Sequence, residues 1–431
     1  MEKPLTQNIR PDREPLDIRE YERVGGYQAL RQALRMPPAQ IQQMVNDANL
    51  KGRGGAGFPA GRKWSGVPMG DKARRPKFLA VNADEMEPGT FKDRLLMEGD
   101  PNLVVESAII SSYAIEADVA YIFLRWAYKL SAQRLTKAVA QAYERGYLGK
   151  NILGSSYSLE MCLHTSAGRY MCGEAEGLMD GLEGTRPIPR PRPPHAADVG
   201  LWGKSTIVNN VETLANVPHI VNHGPDWFKG LSRTDEGGTK LYGMSGRVKH
   251  AGLWELPMGT SLGEIFHEHA GGMAEGYAFR GLLPGGASSG FLLEKHFDLP
   301  MDFASVRQAG SSLGTGTMVV LDDRTCPVGL VHNLQVFFAR ESCGWCTPCR
   351  EGLPWVRQIL AALEEGQGRP EDLDILQEHT WLLGPGHTFC ELAPGAMLSL
   401  ASALQYFHDD FQEHVEQQRC PWKGRETTDD G

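Results

Sequence analysis

The chain is 431 residues long, 41% hydrophobic and 23% charged, with a formal net charge of −9; that length exceeds one ordinary core and implies two or three domains. The charge is mild and scattered with no basic block, which excludes the electrostatic footprint of a nucleic-acid-binding protein. No apolar run reaches membrane-spanning length, the longest being Leu103 to Ile110 and Ala120 to Leu124, and the polar N-terminus has no signal-like apolar segment. The eight cysteines are too dispersed for a disulfide framework, so a reducing, cytoplasmic setting is expected, with the membrane touched only through partners.

Residues 1 to 36 read as charged and irregular. Pro37-Pro38 introduces a helix over Ala39 to Leu50, in which Ile41, Met44, Val45 and Ala48 recur at helical spacing. It delivers the chain into a glycine-rich stretch containing Gly52, Gly54, Gly55, Ala56, Gly57 and Phe58, with Lys51, Arg53, Arg62 and Lys63 beside it. G-x-G-x-x-G is present, but the dinucleotide fingerprint needs a strand before it, and here a helix precedes. The physics under the motif survives: residues without Cβ let backbone N–H groups approach a phosphate or a flat ring. A ligand-free surface loop is the plain alternative.

Lys77 to Asn82 has the profile of a buried parallel strand, and its end runs into the acidic loop Asp84-Glu85-Met86-Glu87. Ligands of open α/β sheets sit outside the carboxyl ends of strands, so this loop is placed to hydrogen-bond a ligand or is simply a solvated turn. A helix over Pro101 to Ala114, a strand over Val119 to Leu124, a helix over Lys129 to Arg145 and a strand over Ser158 to His164 extend the α/β alternation. A loop with Tyr170, Gly173 and Glu174 follows, then the extended Pro187 to Pro194, and a helix is expected over Asn209 to Leu214.

From about Gly238 the texture shifts to short strands, Thr239 to Ser245, Gly252 to Leu256 and Met318 to Leu321, a small α+β domain of low chemical content. The remainder is helical, over Leu330 to Arg340, Leu353 to Glu364, Leu373 to Leu383 and Ala396 to His414, and Lys423 to Gly431 reads as a frayed tail. At the joints of this bundle stand Cys343, Cys346 and Cys349 at C-x2-C-x2-C spacing, with Cys390 downstream. Three thiols in seven residues plus one remote thiol suit a [4Fe-4S] cluster better than a structural zinc, which draws its ligands as separated pairs. Cys162, Cys172, Cys326 and Cys420 read as ordinary cysteines.

Taken together, Gly52 to Phe58, Asn82 to Gly89, Gly168 to Glu174, Asn209 to Leu214 and Glu341 to Gly352 resemble the flavin-carrying NADH dehydrogenase subunit of respiratory complex I, over about residues 20 to 415. The resemblance implies a multidomain α/β protein: a Rossmann-like FMN and NADH domain with an N-terminal extension at 1–237, a ubiquitin-like β-grasp domain at 238–328, and a helical bundle with a [4Fe-4S] cluster at 329–431. It places Gly54, Gly55, Lys63, Asn82, Asp84, Tyr170, Gly173, Asn209, Asn210 and Thr213 at FMN, with Gly52, Ala56, Gly57, Glu85 and Glu174 in the same loops. Glu87 falls at the nicotinamide end of NADH and Phe58 at its adenine, while Cys343, Cys346, Cys349 and Cys390 fall on the cluster. Implied partners are a thioredoxin-like [2Fe-2S] subunit and a large multi-cluster subunit, at the cytoplasmic face of the membrane.

Two departures touch the nucleotide end. Ala175 stands where the family commonly has a glutamate that repels the 2′-phosphate of NADPH, and His195 where it commonly has a phenylalanine, so weaker exclusion of NADPH is expected unless Glu176 substitutes for the missing carboxylate. A diaphorase subunit of an NAD-reducing hydrogenase or formate dehydrogenase shares these motifs. A non-catalytic electron-transfer or assembly subunit is the rival of another class.

Overall fold

The structure is a computed structural model in which residues 2–70 and 73–423 are described. Its first sheet consists of β1 (Phe78–Ala83), β2 (Val119–Leu124), β3 (Glu160–Thr165) and β4 (Thr206–Asn210), all parallel in the order β3-β2-β1-β4. The strand order reverses between β1 and β4, so their carboxyl ends flank the crevice where an open α/β sheet receives ligands. The helix Pro101–Ala114 is buried almost all round, which explains why its apolar run shows no amphipathic period.

A second, mixed sheet is built from β5 (Thr239–Ser245), β6 (Gly252–Pro257), β7 (Phe279–Leu283) and β8 (Thr317–Asp322) in the order β6-β5-β8-β7. Its central pair is parallel and its outer pairs antiparallel. The bundle comprises helices Pro327–Glu341, Thr347–Glu364, Pro370–Leu382, Leu392–Tyr406 and His408–Gln417. The single helix expected over Ala396 to His414 is two, because the backbone leaves helical geometry at Phe407, where φ is −125°.

The N-terminal region is not irregular: helices Ile18–Arg23 and Gln28–Ala33 dock onto the first layer. Asp17 and Glu20 form a capping box that starts the first of these, a signal present in the sequence. Buried Glu106 fastens both, accepting from Tyr21 Oη at 2.7 Å, Tyr27 N at 2.9 Å and Leu30 N at 3.2 Å. Asn209 and Asn210, expected to open a helix, instead end β4, and the helix is Val211–Ala215. The tail read as Lys423 to Gly431 lies, beyond Lys423, outside the described residues.

Buried charge ties the two sheets together. Glu212, just past β4, lies 3.0 Å from Lys240 on β5 and 2.9 Å from Lys92, whose ammonium also reaches Asp93 at 2.8 Å. Burial alone would raise the Glu212 carboxyl, but Lys240, Lys92 and Arg53 together hold it down at about 2. Among the described residues no helix is long and apolar enough to cross a membrane.

Candidate functional site

The glycine loop is closed at its base by Gly52 N donating to Phe58 O at 2.9 Å and Ala60 N to Leu50 O at 2.9 Å. Arg53 N donates to Thr213 Oγ1 at 2.7 Å, which anchors the loop beside the end of β4. Gly57 has φ of +67°, and a Cβ there would fall 2.6 Å from the Phe303 ring, so the close approach requires glycine.

This loop faces a cavity of about 700 Å³ whose lining draws on all three parts of the chain. Gly54, Gly55 and Ala56 come from the loop, Asn82, Asp84, Glu85 and Glu87 from the end of β1, and Asn210 from the end of β4. Tyr170, Gly173 and Glu174 form another wall, and Cys390 closes the side toward the bundle. The volume is in the range of sites that take a cofactor-sized ligand.

Asp84 carries the clearest mark of an awaited ligand. Its Oδ1 accepts from Ser166 Oγ at 2.7 Å, whereas Oδ2 is buried without a hydrogen-bond partner. Burial raises the carboxyl to about 6 against the opposing pull of the Ser166 hydroxyl and Arg125. An unpaired buried acceptor costs about 1–3 kcal/mol, a cost that a donor entering the cavity removes. Asn82 is committed: its Nδ2 donates to Gly173 O at 2.9 Å and its Oδ1 accepts from Asp84 N at 3.1 Å, joining the β1 loop to the Tyr170 loop. Glu85 accepts from Asp93 N at 2.9 Å, Arg94 N at 3.2 Å and Tyr128 Oη at 3.0 Å, which shapes the acidic loop from behind.

Glu87 accepts from Tyr170 Oη at 2.5 Å, Ser288 N at 2.7 Å and Ser288 Oγ at 3.0 Å. Burial raises its carboxyl in spite of these three bonds. Ser288, Ser311, Ser312 and Thr315 of the second sheet's turns line the same cavity, so the region expected to be chemically quiet contributes a wall. The signal was there as Gly285-Gly286-Ala287-Ser288 and Gly310-Ser311-Ser312, turns with polar residues and no Cβ bulk.

Other sequence-predicted residues stand outside the lining of this cavity. Lys63 donates to Val208 O at 3.0 Å, and Asn209 Oδ1 accepts from Trp64 Nε1 at 2.9 Å, so both brace the region from behind. Phe58 is 46% exposed with the Arg62 guanidinium 5.9 Å from its ring centre. His195 is an exposed turn residue whose carbonyl accepts from Asp198 N and Val199 N. Ala175 begins the helix Ala175–Glu183, capped by Glu174, whose Oε2 accepts from Glu176 N at 2.7 Å and Gly177 N at 3.1 Å. Glu176 is 4% exposed and clamped by Arg192, whose Nε donates to it at 2.6 Å.

Cys343, Cys346, Cys349 and Cys390 converge at the bundle's end nearest the cavity. Cys349 feels Cys346, Cys390 and Cys343 electrostatically, and burial pushes its thiol up to about 12; burial likewise pushes Cys390 up to about 11. Thiols crowded and buried in this way stay protonated until a coordinating metal centre takes them as thiolates. Four cysteines acting on one another are the donor set of a [4Fe-4S] cubane, in which each sulfur takes a different iron. Glu341, one turn before the thiols, accepts from Tyr170 N at 3.0 Å, and Tyr170 packs edge-on against Phe337 and Phe338. The cavity wall and the thiol loop are thus one mechanical unit.

Residues 45–219 match the family model described as the Nuo51 FMN-binding domain, and residues 329–414 that of the NADH-ubiquinone oxidoreductase-F iron-sulfur binding region. The chain is 52% identical over 415 residues to the F subunit of NADH-quinone oxidoreductase in Salmonella typhimurium and in Escherichia coli, covering 96% of this chain and 93% of each relative. Identity to the corresponding protein of Mycobacterium tuberculosis is 44% over 409 residues, covering 94% of this chain and 92% of that relative. Among solved structures, a chain of an NAD+-reducing [NiFe]-hydrogenase in the H2-reduced state superimposes with a TM-score of 0.80 at 32% identity, covering 95% of this chain and 68% of that one. Identity and coverage at this level, with both cofactor regions matched in order, make this chain a member of the family of NADH-quinone oxidoreductase F subunits.

Proposed function

We propose that this chain is the electron-input subunit of a respiratory NADH:quinone oxidoreductase: it oxidises NADH through FMN in the cavity and passes single electrons to a [4Fe-4S] cluster on Cys343, Cys346, Cys349 and Cys390. The observation that carries this reading is the continuity of one cavity from the glycine loop to Cys390. FMN supplies what a cluster alone lacks, acceptance of a hydride and release of its electrons one at a time.

The protein's own part is placement. Gly54, Gly55 and Ala56 would offer backbone N–H groups and a surface free of bulk, and Asp84 Oδ2 would accept from a ring or ribityl donor. Asn82, Gly173 and Asn210 would complete the pocket, with Gly52, Gly57, Lys63, Asn209 and Thr213 holding its walls in register. Glu87 is fixed by Tyr170 and Ser288 and would border the nicotinamide ring; a hydride moves with its electron pair, so Glu87 has a positioning role and no proton to carry. Met86, Met171, Leu313 and Leu392 line the space and would exclude water. The nucleotide's adenosine end would lie toward Phe58, Ala175 and His195.

We place domain boundaries near 237 and 328, a reading supported by the change from the parallel sheet to the mixed sheet and then to the helical bundle. Membership in an NADH-quinone oxidoreductase implies further carriers, which we take to be a thioredoxin-like [2Fe-2S] subunit and a large multi-cluster subunit, with the chain in a peripheral arm on the cytoplasmic face. A diaphorase role in a hydrogenase has the support of NAD+-reducing [NiFe]-hydrogenase chains that are 32% identical, against 52% for the quinone-reductase subunits. Anaerobic rapid mixing of flavin-loaded protein with NADH tests the proposal: prompt loss of flavin absorbance supports it, and a bound flavin indifferent to NADH and NADPH identifies a scaffold subunit instead.

A further inference from the structure

Away from the cavity, the bundle gathers four chemistry-bearing side chains that the electron-transfer reading does not use. Cys326, Glu364, His414 and Cys420 present ligand atoms that all lie within 4.8 Å of one another, and His414 and Cys420 are buried. Cys326 Sγ is 3.1 Å from Glu364 Oε1 and 3.4 Å from His414 Nε2, and His414 Nε2 is 3.2 Å from Glu364 Oε1. In a tetrahedral zinc site with bonds of about 2.0–2.3 Å, neighbouring ligand atoms sit roughly 3.3–3.8 Å apart.

We propose that Cys326, Glu364, His414 and Cys420 form a structural zinc site, distinct from the iron-sulfur thiols. The surroundings are arranged as a metal site requires. His414 Nδ1 lies 2.6 Å from Asp410 O, so Nδ1 carries the proton and the lone pair of Nε2 points at the other three ligands. Asp410 is itself held by Arg280 at 2.7 and 3.2 Å. Cys326 caps the helix Pro327–Glu341 and accepts from Gly329 N at 3.2 Å, a bond that favours the thiolate. Trp422 lies parallel over His414 at 5.9 Å and shields it. Binding releases the two thiol protons, and Zn²⁺ with two thiolates and one carboxylate leaves a charge of −1, which Lys423, 3.6 Å from Glu364, offsets.

The placement indicates what the ion does. Cys326 begins the 15-residue helix that ends beside Cys343, and Glu364 ends the 18-residue helix that carries Cys349. At 1.5 Å per residue the zinc site lies about 22–27 Å along these helices from the cluster thiols. It clasps the far end of the hairpin that presents three of the four cluster ligands and ties the segment after His408–Gln417 to it. A tetrahedral set of two thiolates, one imidazole and one carboxylate, with all four positions filled by the protein, is of the structural type.

The test is metal analysis and zinc K-edge absorption on the full chain carrying flavin and cluster, purified anaerobically. The expected result is about one zinc per chain beside the cluster iron, with two sulfur neighbours at about 2.3 Å and two nitrogen or oxygen neighbours at about 2.0–2.1 Å. Cys326→Ser and His414→Ala each bring zinc below about a tenth per chain, while iron content and flavin bleaching by NADH persist. Should either variant fail to fold, the ligand set of the unsubstituted chain decides. Absence of zinc, a four-sulfur shell marking zinc in the cluster site, retention of zinc by both variants, or a Cys326–Cys420 disulfide in metal-free protein overturns the proposal.

Discussion

Replacing Glu212 by Gln removes the anion that joins both sheets to the cavity wall. Each of its two lysine contacts, at 2.9 and 3.0 Å, is a gross attraction of about 5–6 kcal/mol at an effective dielectric constant near 20, most of which desolvation offsets. What remains after the change matters more. Lys92 keeps Asp93, but Lys240 is fully buried and loses its anionic partner, keeping neutral contacts such as the carbonyl of Leu241 at 3.2 Å and the Tyr242 ring at 5.9 Å. Breaking a buried pair from one side costs about 3–5 kcal/mol, and at about 2–4 °C per kcal/mol for a domain of this size the apparent melting temperature falls by about 6–20 °C. The double variant Glu212→Gln with Lys240→Met removes the stranded ammonium and regains more than half of that loss. The assay is circular-dichroism melting of the unsubstituted chain and the two variants at one fixed scan rate. A shift under about 2 °C for the single variant, or a double variant no better than the single, would refute the reasoning. Because the Glu212 carboxyl is depressed from 4.5 to about 2, its contribution is whole above pH 4.5 and is lost as pH falls toward 2.

Asp84 has the opposite sign: its carboxyl is raised from 3.8 to about 6, so the flavin-free chain gains stability as pH falls through 6 toward 3.8. Flavin affinity, which uses the ionised Oδ2, should weaken by roughly tenfold between pH 7 and pH 5, and fluorescence titration of Asp84→Asn should show that slope lost. Ala175→Glu should raise the kcat/KM preference for NADH over NADPH by about tenfold through repulsion of the 2′-phosphate; an unchanged ratio removes that role for position 175. Glu106→Ala strands three donors and should cost about 3–5 kcal/mol, seen as earlier proteolysis of the first 36 residues than of the rest of the chain.

How much of this was legible in the sequence depended on the length over which a pattern could repeat. The helix Pro101–Ala114 and strand β2 match their expected bounds because both are apolar runs opened by an aspartate, Asp100 and Asp118. Strand β4 was hidden because five residues run straight into a helix without a turn residue between. Strand β7, Phe-Arg-Gly-Leu-Leu, carries a charge and a glycine where alternation would have marked it. The break at Phe407 has neither Gly nor Pro to announce it. In the site, the motif loops were plain because their residues are adjacent in the chain, but the second sheet's serines reach the cavity only through tertiary folding. Cys326 and Cys420 read as ordinary for the same reason: their companions Glu364 and His414 are scattered over the last third of the chain.

Everything rests on a hydride-accepting flavin standing against the wall that Cys390 supplies. The most direct measurement is to mix the flavin- and cluster-loaded chain with NADH anaerobically, recording flavin absorbance and the cluster's paramagnetic signal on the same samples, beside Cys390→Ser. The account predicts that both centres become reduced in the unsubstituted chain, and that Cys390→Ser bleaches its flavin without the native cluster signal. A cluster that stays oxidised while the flavin is fully reduced, or a Cys390→Ser variant with an unaltered cluster, would contradict it.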